Sequence, residues 1–201
     1  GIALVIGVLL GLARMSPSII LRNVSRTYVE LIRGIPMLVL IFTIALVLVP
    51  EFAGSLGIDN RDVSMFWRAT VALSIVYAAY IAEVVRGGIQ SISVGQMEAG
   101  RSLGMSRGQT MRSVILPQAG RAMLPPLGND LISMLKDSSL LSVLGILEVT
   151  QLGRQYAAGS FRFRESYFVA VFIYLSMTVA LSLILHVLEK RVSRDRVGER
   201  G

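Results

Sequence analysis

Glu98-Ala99-Gly100-Arg101-Ser102-Leu103-Gly104-Met105-Ser106, followed further on by Val114-Ile115-Leu116-Pro117, is a polar, glycine-punctuated stretch set between two strongly apolar ones. Before it, Ala69 to Val85 contains no charged residue except Glu83. After it, apolar residues dominate from Ala122 onward. A chain this apolar keeps residues 86–121 out of a bilayer only when something in water needs them. The stretch therefore fixes both the fold class and the direction in which function is to be sought.

Working outward, five apolar segments emerge. The first runs from Ile2 to Ala13 and ends at Arg14. The second runs from about Val29 to Val49 and is stopped by Pro50. The third is Ala69 to Val85, the fourth covers Ala122 to Val149 broken by polar residues, and the fifth runs from Tyr167 to Leu188. The complete ones approach the ~20 residues that a spanning helix needs. They are continuous rather than alternating, which argues against a barrel. Ile2 to Ala13 is too short to cross at ~1.5 Å per residue. No basic region precedes it and no cleavage site follows, so it reads as the remainder of a truncated first span rather than a signal peptide. The expectation is an all-α membrane protein with about five transmembrane helices and one cytoplasmic loop, 86–121, within a single domain over 1–201.

Composition agrees. Of 201 residues 53% are hydrophobic and 16% charged, against ~25% charged in soluble domains, and the mean hydropathy is +0.65. The net charge of +7 and pI of 10.4 come from arginines at the ends of apolar runs. That is the signature of a cytoplasmic membrane face rather than of nucleic-acid binding. Arg14, Arg22, Arg26, Arg86, Arg101, Arg107, Arg112, Arg121, Lys190, Arg191, Arg194, Arg196 and Arg200 fall on one side; Arg61, Arg68, Arg154, Arg162 and Arg164 fall on the other. The richer side is cytoplasmic, and it includes the C-terminus and the Glu98 loop. With no cysteine and only His186, thiolate chemistry and a multi-histidine metal site within the chain are excluded. No lysine follows the glycine spacing of a nucleotide-binding loop. ATP and magnesium, if they drive this chain, sit on another polypeptide, and the chain is expected to bind no cofactor.

Within the loop the pattern predicts a helix from Gln96 to Leu103, a turn at Gly104-Met105-Ser106, and a second helix from Arg107 to Ile115 ended by Pro117. Ser106 and Gln109 are spaced for a capping box. Gly104 is placed for a positive φ or a close backbone approach. An amphipathic loop resting on anionic lipid would carry similar arginines. On spacing alone a lipid-resting loop and a docking element balance; the positions that bear on the choice are Glu98, Ala99, Gly100, Gly104, Met105, Ser106, Leu116 and Pro117.

Those positions resemble the loop through which permease subunits of ABC importers grip their ATPase, E-A-A-x3-G-x9-I-x-L-P, with Gly100 in place of the second alanine and Val114 in place of isoleucine. Three further patches extend the resemblance. Tyr28-Val29-Glu30-Leu31-Ile32-Arg33-Gly34-Ile35-Pro36 resembles the entry to the second helix of polar amino-acid permeases, with Ile35 for the usual threonine. Ala79 to Ile89 resembles the end of their third helix, and Lys136-Asp137-Ser138-Ser139-Leu140 a segment of their fourth. The chain thus resembles type I ABC importer permeases of the histidine, glutamine and arginine group. The resemblance implies a bacterial inner-membrane importer of amino acids. The implied partners are ATPase subunits, a second permease subunit (homo- or heterodimer), an external solute-binding protein and membrane lipid, with no enzymatic role for this chain.

Ionisable residues inside spans are costly and usually face an interior or a water-filled path. Glu30 and Arg33 are spaced to pair, as are Glu83 and Arg86; Glu83 reads as structural or gating, with substrate contact as the alternative. Pro125 and Pro126 are expected to prevent a clean helix start and to free carbonyls ahead of Lys136 and Asp137. Helical neighbours point ~100° apart, so those two charges need separate partners. A zwitterionic amino acid would supply both, and so would other helices. Asn129, Lys136, Asp137, Ser138 and Glu83 are the candidate path residues. Gly7 and Gly11 read as a close helix contact, Met105, Met111 and Met123 as packing residues, and Trp67 and Tyr167 as interfacial anchors. A lone His186 leaves little for an intramembrane hydrolase, and a channel would not explain the Glu98 loop.

Overall fold

The computed structural model describes residues 1–194; Arg196 and Arg200 of the predicted cytoplasmic set lie outside the described residues. Every regular element among the described residues is helical: α1 (Ile2–Arg14), α2 (Ile19–Gly34), α3 (Met37–Thr43), α4 (Val49–Ser55), α5 (Met65–Gln90), α6 (Val94–Ser102), α7 (Arg107–Thr110), α8 (Leu116–Asp137), α9 (Val149–Ser160) and α10 (Phe163–Arg194). Three stretches among them are long and apolar enough to cross a bilayer: Met37–Ser55, Met65–Gln90 and Phe163–Arg191.

Helix α5 is the axis of the molecule. Its most apolar window is 56% buried, against 6% for that of α10, which leaves α10 a peripheral helix open to lipid or to another chain. Small residues let neighbours approach closely: Ala72, Ala78, Ala79 and Ala82 are fully buried. The predicted Gly7–Gly11 contact is present, because a Cβ at Gly7 would lie 2.6 Å from Ile81 and one at Gly11 2.6 Å from Val85. The two contacts advance together along both helices, so α1 and α5 run parallel. Gly88 takes the Met123 side chain of α8 in the same close manner, while Tyr77 of α5 reaches Asp137 of α8; α8 is therefore antiparallel to α5. Gly128 faces Leu185 and Thr150 meets Tyr174, which lays α10 back along α8 and α9. The up-and-down order matches the alternation read from the arginines.

The prolines behave differently from the sequence expectation, and for one physical reason. Pro50 does not stop the second span, which runs on to Ser55, and Pro117 does not end the loop helix, which runs on into α8. A π turn immediately precedes each proline, at Ile44–Leu48 and Met111–Ile115. There Val49 and Leu116 donate their N–H groups five residues back, to Ile44 and Met111. The widened turn accommodates the ring that would clash with the carbonyl of residue i−4 in a regular helix. Pro125 and Pro126 likewise lie inside α8 instead of delaying its start. The break comes later, where α8 gives way to 3-10 turns at Ser138–Leu144 closed by Gly145 at φ 76°. The second segment also begins later than Val29. Residues Tyr28 to Gly34 belong to the separate α2, and extended backbone at Ile35-Pro36 divides it from the span.

Candidate functional site

The Glu98 stretch folds as a compact helix pair. Ser93 caps α6 by accepting from the Gly95 N–H at 3.3 Å, and the helix occupies Val94–Ser102, close to the predicted range. It ends in a Schellman motif: Gly104 N–H donates to the Arg101 carbonyl at 3.0 Å and Met105 N–H to the Gly100 carbonyl at 3.1 Å. Gly104 takes φ +82°, the left-handed turn for which glycine was expected. The predicted capping box is present, with Gln109 N–H donating to Ser106 Oγ at 3.3 Å and Ser106 N–H donating to Gln109 Oε1 at 2.7 Å. The second helix differs from expectation, since α7 spans only Arg107–Thr110 before the π turn carries the chain into α8.

Gly100 explains how the two short helices hold together. Thr110 is fully buried, and a Cβ at Gly100 would lie 2.4 Å from its Cγ2 and 2.8 Å from its Oγ1. The glycine is thus the space in which Thr110 sits. Met97, Met111 and Leu116 pack against the apolar cluster that contains Ile89, Ile115 and Met123, so the pair is anchored on the ends of α5 and α8. Its outer side is open: Glu98, Ala99, Gly104 and Ser106 are exposed, as are Arg101, Arg107 and Arg112, and Leu103 is 83% exposed. Met105 is half-buried and Pro117 exposed. An apolar tip ringed by arginines on a rigid mount suits docking against a protein surface.

The intramembrane polar residues form a second constellation along α5. Glu83 does pair with Arg86, whose Nε donates at 3.1 Å, and it also accepts from Arg14 at the end of α1. Arg33 lies 4.0 Å from the same carboxylate with its guanidinium 5.4 Å from the centre of the Tyr80 ring. The expected Glu30–Arg33 pair is absent; Glu30 accepts from Arg26 at 2.7 Å instead, the i, i+4 geometry that exposed helical ion pairs favour. Tyr77, 5.7 Å from Tyr80 centroid to centroid, donates its hydroxyl to Asp137 Oδ2 at 2.6 Å. Asp137 and Lys136 do have separate surroundings: Lys136 is exposed, makes no ion pair among the described residues, and borders a cavity beside Tyr174. Ser138 donates back to the Leu135 carbonyl at 2.7 Å, Asn129 is exposed, and Asp130 Oδ2 is buried without a hydrogen-bond partner.

Sequence reasoning missed Arg14, Tyr77, Tyr80 and the network between Glu148 and Tyr174. In that network Tyr174 donates to Glu148 Oε2 at 2.6 Å while Glu148 caps α9 through the N–H groups of Thr150 and Gln151. The spacing of Tyr77, Tyr80 and Glu83 at i, i+3 and i+6 was a usable signal for the first group. Nothing local in the sequence signals Arg14, because its partner lies 69 residues away.

Residues 3–194 match the family described as binding-protein-dependent transport system inner membrane component. The chain is 42% identical over 189 residues to the glutamine transport system permease protein of Escherichia coli (strain K12), covering 94% of this chain and 84% of that protein. It is 38% identical over 192 residues to an L-cystine transport system permease protein of Bacillus subtilis (strain 168), covering 95% of this chain and 79% of that one. Among solved structures it superposes on an amino acid ABC transporter crystallised with histidines, with TM-score 0.81, 38% identity, and 94% and 87% of the two chains covered. The fold is also that of a methionine ABC transporter in an inward-facing conformation, with TM-score 0.76 at 21% identity over 95% and 88% of the chains. An anchored helix pair on a helical bundle, a polar constellation inside that bundle and a match along nearly the whole sequence converge: this chain belongs to the family of binding-protein-dependent transport system inner membrane components.

Proposed function

We propose that this permease subunit carries a polar amino acid inward across a bacterial plasma membrane, along the face of α5 that bears Tyr77, Tyr80 and Glu83. The α6–α7 pair, within 86–121, is the cytoplasmic lever by which a separate ATPase drives it, and the C-terminus lies on the same side. Glu98, Ala99, Gly100, Gly104, Met105 and Ser106 form the docking element, with Leu116 and Pro117 joining it to α8. ATP and magnesium reside on the ATPase. A second permease subunit, identical or related, completes the path, lipid surrounds the pair, and an external binding protein delivers the substrate. Asn129, Lys136, Asp137, Ser138 and Glu83 border the route.

The observation that carries this reading is the mount of the helix pair. Gly100 and Thr110 interlock, and Met97 and Met111 seat on the same apolar cluster as Ile89 and Ile115. A displacement imposed at Leu103 is thereby transmitted to the ends of α5 and α8 rather than dissipated in a loose loop. Coupling then follows from differential affinity, because an ATPase that binds one arrangement of these helices more tightly shifts the population toward it. The test is reconstitution of the full-length permease with its ATPase and binding protein in proteoliposomes, followed by uptake of radiolabelled L-glutamine, L-histidine and L-arginine. ATP-dependent accumulation of at least one is expected. Failure to recruit an ATPase, or no uptake of any of the three, overturns the proposal.

A further inference from the structure

The charges near the inner half of α5 do not balance, and the surplus has an address. Glu83 is engaged by Arg14 and Arg86, and Glu30 by Arg26. Arg33 is left with one carboxylate oxygen at 4.0 Å, already accepting from another arginine, and is 43% exposed. Its guanidinium is nonetheless held in place by the ring of Tyr80, 5.4 Å away, the arrangement in which a cation is attracted to an aromatic face. It borders a cavity of about 490 Å³ together with Arg14, Glu30, Gly34 and Glu83, within the size range of small-molecule sites. Two carboxylates of α8 also face the region. Asp137 is held by Tyr77, whereas Asp130, whose Oδ2 has no hydrogen-bond partner, lies within electrostatic reach of Arg33 but makes no ion pair with it.

We propose that Arg33 is the hook for the substrate's carboxylate, taking its two oxygens on the planar fork of the guanidinium while Tyr80 fixes the plane of that fork. A guanidinium presents paired N–H donors that match a carboxylate, and an ammonium does not. The ligand class is a molecule with a free carboxylate adjoining a polar or cationic remainder. The neighbouring arginines would repel a cation placed at the same spot and so orient the substrate carboxylate-first toward this wall. This inference rests on the amino-acid reading above.

The test uses the permease–ATPase complex in detergent, without binding protein, so that the binding protein's own selectivity does not enter. Saturation-transfer NMR, suited to weak ligands, compares whichever of L-glutamine, L-histidine or L-arginine the wild type takes up with the corresponding α-amide. The wild type is expected to prefer the acid by about tenfold or more, the worth of a charge-assisted hydrogen bond. Arg33→Gln should abolish that preference, and Arg33→Lys should retain only part of it. A purely structural Arg33 would lower the amount of intact complex without altering the ratio of acid to amide. An Arg33→Gln complex that keeps the wild-type ratio overturns the assignment. Should Arg33→Gln fail to assemble, Arg33→Lys in proteoliposomes decides: a raised KM with Vmax maintained supports the hook, and an unchanged KM overturns it. A wild type that transports amino acids yet binds acid and amide equally defeats the hook alone. A wild type that takes up none of the three defeats the amino-acid reading and the hook with it.

Discussion

Substituting Gly100 by alanine tests the mount of the α6–α7 pair with a single methyl group. The new Cβ would lie 2.4 Å from Thr110 Cγ2, 2.8 Å from its Oγ1 and 3.2 Å from its Cβ. Carbon atoms rest at ~3.5–4.0 Å, so relief requires a displacement of about 1 Å or more. Thr110 cannot swing aside easily: it is β-branched and stiff at χ1, fully buried, and donates to the Ser106 carbonyl at 3.1 Å. The helices themselves must separate, at an overpacking cost of about 1–3 kcal/mol. Thr110→Ala removes both of the closer atoms and leaves only the 3.2 Å contact, which a small shift absorbs. The double variant Gly100→Ala/Thr110→Ala is therefore expected to recover most of the loss, a coupling of about 1–2 kcal/mol in a double-mutant cycle. Thermal unfolding of the purified complex gives the stability terms, and the fraction of ATPase co-purifying gives the functional one. Should Gly100→Ala behave as the wild type in both, or should Thr110→Ala fail to rescue it, the interlock is not what holds the α6–α7 pair together.

Other positions give separable outcomes. Gly104→Ala meets no atom within 4 Å but must keep φ at +82°, so it should cost about 1–2 kcal/mol through backbone strain alone and increase hydrogen exchange at the end of α6; unaltered exchange would contradict the Schellman assignment. Gly11→Val drives a side chain into Val85 at 2.6 Å and toward the Ala82 carbonyl at 2.9 Å, and should lower stability by about 3 kcal/mol, read as loss of monodisperse protein on heating in detergent. Glu83→Gln leaves Arg14 and Arg86 without their shared anion; at 27% side-chain exposure the loss should be about 2 kcal/mol, and an unchanged melting temperature would show that Glu83 does not bind those helices together.

Much of the fold was legible because membrane physics writes it in coarse symbols. Apolar runs of spanning length, arginines at one set of ends and the glycines of a close helix pair each have one dominant cause, and α1, α5 and α10 lie where those signals place them. The loop was legible for a different reason: the Ser106–Gln109 box and Gly104 are local devices whose geometry depends only on a few neighbouring residues. The misreadings share the opposite property. Pro50 and Pro117 read as helix ends because a proline's cost is local, whereas its accommodation depends on how the preceding turn is wound. The Glu30–Arg33 pair was equally compatible with helical spacing as Glu30–Arg26, and the choice was made by Glu83 and Tyr80, residues far along the chain that draw Arg33 away. Asp137 found Tyr77, and Glu83 found Arg14, only once helices remote in sequence were laid side by side.

The π turn at Met111–Ile115 has a consequence for how this molecule can change over generations. It holds one residue more than an α-helix of the same rise would require. Deleting any one of those residues would restore regular i to i−4 bonding and leave the helix beyond in nearly the same rotational phase, because the wide turn absorbs the extra residue locally. Pro117, however, would return to collision with the backbone behind it. That spare residue is what lets a proline stand where the α6–α7 pair joins α8, so its loss would be tolerated only alongside replacement of Pro117.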